Sequence, residues 1–123
     1  MEAELADRKT AALRYEDILP EQIDILLLGV GEDGHIASLF PYSAALQEKN
    51  RRVLPVTGPK PPFERLTIAP SVVTQARITY VFATGVAKAQ ILVNTRQKVE
   101  DFDRIPARLV VNNSIWLLDS PIL

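Results

Sequence analysis

The chain contains no cysteine, and among its 123 residues histidine, methionine and tryptophan occur once each. Without a thiol there is no disulfide framework, no cysteine-held zinc and no sulfur nucleophile. Excess charge of either sign is also missing, since 14 basic residues face 15 acidic ones for a net charge of -1. Such a balance supplies no long-range field to gather nucleic acid or an anionic membrane surface. No apolar run approaches the ~20 residues of a membrane span. The opening Met1-Glu2-Ala3-Glu4-Leu5-Ala6-Asp7-Arg8-Lys9 is too polar for a signal peptide. These absences lead us to expect a cytoplasmic protein whose partner is a small molecule rather than nucleic acid or membrane.

Hydrophobic residues make up 47% of the chain, enough for a single domain over 1–123 with a small core. Alanines, leucines and mixed charges predict a helix to about Arg14, closed off by Pro20. Residues 23–28, Ile-Asp-Ile-Leu-Leu-Leu, read as a strand apolar on both faces, as in a sheet covered by helices on two sides. A short helix is expected over 35–40. Residues 53–57 and 65–69 read as strands flanking Gly58-Pro59-Lys60-Pro61-Pro62, a loop stiffened by three prolines. Beyond them the pattern predicts a brief helix at 70–76, a strand at 78–83, a helix at 86–94, a helical turn at 106–110 and a last strand at 114–118. Strands alternating with helices specify an α/β fold with a mainly parallel sheet.

The strand at 23–28 runs into Gly29-Val30-Gly31-Glu32-Asp33-Gly34-His35-Ile36-Ala37-Ser38-Leu39-Phe40-Pro41, which holds the one histidine. Open α/β sheets collect ligands at the carboxyl ends of their strands. Glycines at 29, 31 and 34 are expected to turn the chain sharply and bring its backbone close to a ligand. Asp33 and His35, two apart, can be aimed into one cleft by a loop but not by a helical face. An imidazole titrates near pH ~6.5, which suits proton transfer at neutral pH. Asp33 could orient that ring, stabilise its cation or bind a substrate hydroxyl. The same glycines match the dinucleotide fingerprint G-x-G-x-x-G. The acidic residue that fingerprint needs about 20 positions on is replaced here by Arg51-Arg52-Val53, and Pro41 leaves no room for its long helix. A structural turn with an incidental histidine is the plainer alternative.

Two further groups are candidates. Thr84-Gly85-Val86-Ala87-Lys88 lies where a strand hands over to a helix, so free amides and a lysine could form a phosphate seat; an ordinary solvated lysine is the alternative. Lys60 and Arg65 flank the proline-rich loop, and a stiff loop presents charge with little ordering cost on binding. Arg51 and Arg52 are expected to be solvated surface charge.

These stretches together resemble the carboxyl-terminal half of the 6-phosphogluconolactonases, whose superfamily also holds the glucosamine-6-phosphate deaminases. The resemblance rests on the run from Asp24 to Pro41 and on Pro59-Lys60-Pro61-Pro62-Phe63-Glu64-Arg65-Leu66-Thr67-Ile68. Ala76-Arg77, Thr84 to Ala89, Ile105-Pro106-Ala107 and Trp116-Leu117-Leu118-Asp119 follow in the same order and spacing. It covers nearly the whole chain. Deaminases continue G-H-I-A with F-N-E-P, whereas here Phe40 stands where their carboxylate falls, so the resemblance is to the lactonase branch. What it implies is a Rossmann-like sheet with flanking helices and hydrolysis of 6-phosphoglucono-δ-lactone. His35 would act as general base with Asp33 in support. Gly29, Gly31 and Gly34 would line the sugar cleft, and Lys88 with Lys60 or Arg65 would meet phosphate or carbonyl oxygens. No cofactor or metal is implied.

Members of the family are about twice this length, and their amino-terminal half supplies the first strands and a glycine- and serine-rich phosphate loop. The expectation for this chain is therefore an incomplete phosphate site and an exposed apolar strand edge. Pairing with the missing half, self-association, or service as a non-catalytic sugar-phosphate-binding or assembly fragment are the alternatives that follow.

Overall fold

A computed structural model describes residues 1–119. Helix α1 (Arg8–Ile18) opens with Asp7, whose carboxylate accepts from the Thr10 backbone N–H, so an otherwise orphan amide of the first turn is satisfied. Strand β1 (Ile25–Gly29) leads through the glycine-rich loop to a hairpin of β2 (Val53–Thr57) and β3 (Glu64–Ile68). Then come α2 (Pro70–Gln75), β4 (Ile78–Ala83), α3 (Ala89–Thr95) and β5 (Ser114–Leu118). The sheet is parallel in the order β1-β4-β5, and the antiparallel hairpin stands apart from it. The expected α/β class with a parallel sheet and flanking helices is what the chain adopts.

Register explains the core. Leu28, Val81 and Trp116 lie abreast across the three strands and point one way, while Leu27, Tyr80 and Ile115 lie abreast and point the other. The first row packs against Val73 of α2, Ile91 of α3, and Ile36, Leu39, Ile105 and Val110 from the connecting loops. Both crossovers, β1 to β4 and β4 to β5, advance in the same direction across the sheet, and right-handed crossovers that do so lie on one face. Among the described residues the opposite face therefore has no helix over it. Leu27 is 62% exposed and Ile25 60%, and Ile78, Phe82, Ile115 and Leu117 are exposed beside them. The expectation of helices on both sides is corrected by this finding: the alternation of burial along β1 is strict despite its uniformly apolar residues. Helix α1 does not help, because its Ala11 and Ala12 pack on Val53 and Leu66 of the hairpin.

Residues 35–40 form no helix. Ile36 and Leu39 are both fully buried and bridge to each other, Ala37 takes a left-handed φ of 49°, and the Ser38 N–H donates to Thr67 Oγ1 on β3 at 3.1 Å. The left-handed Ala37 closes a tight turn between Ile36 and Leu39, and both apolar side chains point inward from it.

Candidate active site

The carboxyl ends of β1 and β4 bring two loops to one edge of the sheet. The first carries Asp33 and His35. Asp33 Oδ1 accepts from the backbone N–H of His35 at 3.0 Å and from its ring Nδ1 at 2.6 Å. A carboxylate can only accept, so Nδ1 carries a proton in this contact, and in the neutral imidazole that tautomer leaves the lone pair on Nε2. Partial burial pushes the Asp33 carboxyl upward, but the hydrogen bonds from the His35 backbone and ring outweigh it and hold the group below its ordinary 3.8. Asp33 thus stays ionised and the imidazole stays oriented. Both side chains remain partly open, at 42% and 31%.

Two glycines make that pair possible. A Cβ at Gly31 would overlap Nδ1 and Cε1 of His35 and stand 2.7 Å from Asp33 Oδ1, so the absence of a side chain there is what admits the ring. Gly34 has φ +88°, and a Cβ would meet Ile105 Cγ2 at 2.7 Å, so it needs both the conformation and the space. Gly29 needs neither, because its surroundings are open. The loop amides are a correction to the sequence reading. The Gly31 N–H donates to His35 O and the Gly34 N–H to Gly31 O, each at 2.9 Å, so these amides close the turn on itself rather than face a ligand.

A cleft of about 380 Å³ gathers Gly31, Asp33, His35, Lys60, Arg65 and Lys88, with Phe40 in its wall. Gly29 and Gly34 lie outside that lining. Lys88 reaches it by donating from Nζ to the Val30 carbonyl at 2.7 Å, which leaves two of its three donors for a ligand. Its turn offers less than expected, since the Gly85 N–H donates to Asp119 Oδ2 at 2.8 Å and α3 has only 7 residues. Asp119, at the carboxyl end of β5, entered the sequence reading only as the last residue of the matched stretch Trp116-Leu117-Leu118-Asp119, with no role, and it is the structure that sets it against the Gly85 turn. Arg65 is half-buried, with Nε donating to Pro62 O at 2.8 Å and Nη2 to Lys60 O at 3.3 Å. Lys60 itself is exposed. Arg51 and Arg52 lie elsewhere: Arg51 pairs with Glu16 of α1, and Arg52 donates to the Leu19, Pro20 and Glu21 carbonyls. They staple the hairpin to α1 and its exit and are not the solvated charge expected.

A second, larger groove of about 530 Å³ shares Gly31, His35 and Lys88 with the cleft and runs along the free edge of β1.

Residues 1–117 match the family model described as glucosamine-6-phosphate isomerases/6-phosphogluconolactonase. The chain is 42% identical over 102 residues to the probable 6-phosphogluconolactonase of Schizosaccharomyces pombe, covering 78% of this chain and 38% of that one. The 6-phosphogluconolactonase of Bos taurus is 42% identical over 100 residues, with the same shares. Among solved structures, the 6-phosphogluconolactonase of Trypanosoma brucei superimposes with a TM-score of 0.77 at 30% identity, over 99% of this chain and 55% of that one. The chain thus spans 38% to 55% of the length of these three relatives.

Proposed function

The chain belongs to the glucosamine-6-phosphate isomerase/6-phosphogluconolactonase family, and from that premise we propose that its cleft hydrolyses 6-phosphoglucono-δ-lactone to 6-phosphogluconate. One observation carries the reading: a carboxylate 2.6 Å from Nδ1 of His35, in a cleft with three cationic side chains. Nε2 takes a proton from water as the water oxygen bonds to C1 and the carbonyl electron pair moves onto its oxygen. Collapse of the tetrahedral intermediate breaks the bond from C1 to the ring oxygen, and the imidazolium returns its proton there, leaving a hydroxyl and a carboxylic acid that ionises. Asp33 stabilises the imidazolium between those steps. Lys88, Lys60 and Arg65 supply positive charge for the phosphate and the developing oxyanion. General-base assistance of this kind contributes ~10² to 10⁴-fold. Freshly prepared lactone, followed by release of acid, tests it: His35→Ala should remove about that factor, and unchanged hydrolysis would overturn the role.

The bare sheet face bears on how the cleft is completed. Strands continuing past β5 in the same direction would keep to the helix-covered face, so only strands wound the other way from the β1 edge place crossovers over Leu27, Phe82 and Ile115. The complementary half of the family fold, in the same polypeptide or a separate one, fits that description and would wall the groove along β1. The chain without it should hydrolyse the lactone weakly. Adding the amino-terminal half of the S. pombe relative should raise turnover and abolish dye binding to the apolar face. Dimers that persist in its presence would mark self-association instead. Stabilisation by 6-phosphogluconate with no turnover in either state would identify a binding fragment, and ammonia release from glucosamine 6-phosphate a deaminase.

A further inference from the structure

Phe40 has no part in the chemistry above, yet it is 6% exposed at the wall of the cleft and touches both halves of the machinery. Its ring centroid lies 4.8 Å from that of the His35 imidazole, tilted by 44°. The guanidinium carbon of Arg65 stands 5.2 Å from the same centroid, over the ring. The negative face of an aromatic ring attracts a cation, and a tilted neighbour packs against it without a clash. Space for this stack is made by Gly58. A Cβ there would be 2.7 Å from Arg65 Nε and 3.2 Å from Phe40 Cε2, and Gly58 is not among the glycines with positive φ. Its smallness serves the arginine rather than the turn.

We propose that Phe40 is a positioning residue that fixes the general base and the anion-binding guanidinium relative to each other, with Gly58 as the gap that lets Arg65 lie over the ring. Each partner is half constrained without it. Asp33 holds Nδ1 of His35 but leaves the ring free to pivot about that bond. Two backbone carbonyls, of Pro62 and Lys60, hold Arg65 by its nitrogens but leave its plane unsupported. One rigid ring with two χ angles closes both freedoms. The proposal deepens the lactonase reading, which supplies the identity of the ligand, but the coupling itself is a property of the unliganded site.

The single histidine makes the test direct, because imidazole resonances in an NMR spectrum can come only from His35. In the unliganded chain, Arg65→Ala should displace those resonances in the natural background and leave them nearly unmoved in a Phe40→Leu background. Equal displacement in both would overturn the proposal, because a charge acting through space needs no ring. Titration with 6-phosphogluconate should show Kd raised about 5- to 30-fold by Phe40→Leu, the range expected for a partly desolvated cation–ring contact, and restored by Phe40→Tyr. Gly58→Ala, which spares the core should Phe40→Leu unfold the chain, should raise Kd and also move the His35 resonances. Unchanged His35 signals there would count against the coupling. If the natural chain binds no 6-phosphogluconate even with the amino-terminal half of the S. pombe relative added, yet shows the background-dependent displacement, the lactonase reading fails and the positioning role stands.

Discussion

At the scale of single residues, the site depends on what is left out as much as on what is present. Gly31 is the clearest case, since a methyl group there collides with the very atoms that pair Asp33 with His35. Gly31→Ala should therefore reduce lactone hydrolysis about as far as His35→Ala, while its melting temperature stays within a few degrees, because the collision is with half-exposed side chains. A loss of folding comparable to a core deletion would contradict this. Asp33 carries a pH signature. Its folded carboxyl titrates below its ordinary value, so the stabilisation it provides is fully present above about pH 4 and is lost as pH falls through the folded value. Denaturant midpoints measured from pH 6 to 2 should fall for the natural chain relative to Asp33→Asn only below about pH 4, and parallel curves would remove the linkage.

Secondary-structure elements divide into one-sided and two-sided duties. In β1, Leu26 and Leu28 enter the core while Ile25 and Leu27 face outward, although all four are aliphatic. Leu28→Ala should cost about 2–5 kcal/mol, the range for truncating a buried leucine. Leu27→Ala should stay within about 0.5 kcal/mol, one position along the same strand. Urea unfolding of the two variants separates them, and equal losses would mean that something covers the outer face in solution. The hairpin and α1 form a second packing unit through Ala11, Ala12, Val53 and Leu66, and the hairpin's other task is to carry Arg65 to the cleft. Its loop is held shut by the Gly58 N–H donating to Phe63 O at 2.6 Å. Stiff delivery of a cation limits the ordering cost of binding an anion.

At the scale of the whole molecule, the described residues form an open sheet with the candidate site at one end and an unclothed face along its length. At that scale we expect charged replacements on the outer face, such as Leu27→Lys with Leu117→Lys, to leave the unfolding midpoint little changed and to suppress association in sedimentation measurements at rising concentration. The same pair should block recovery of activity by the complementary half, and full recovery would place that half elsewhere. Much of this was legible in the sequence, because local rules govern it. Strands at 78–83 and 114–118, Pro70 at the head of α2 and the alternation of strand and helix follow from apolar runs and from where proline interrupts them. The Asp33-Gly34-His35 cluster marked a candidate site through the chemistry of its side chains, and the structure brings Asp33 and His35 together in one cleft. Tertiary structure alone decided the rest, because it depends on residues far apart in the chain. Uniformly aliphatic β1 contains nothing to say which of its faces is covered; the common direction of two crossovers settles that. The glycine-loop amides are donated within their own turn, Arg51 and Arg52 are drawn to α1, and Asp119 takes the Gly85 amide. The meeting of Phe40 with both His35 and Arg65 likewise comes from packing, since only a folded hairpin brings residue 65 over residue 40.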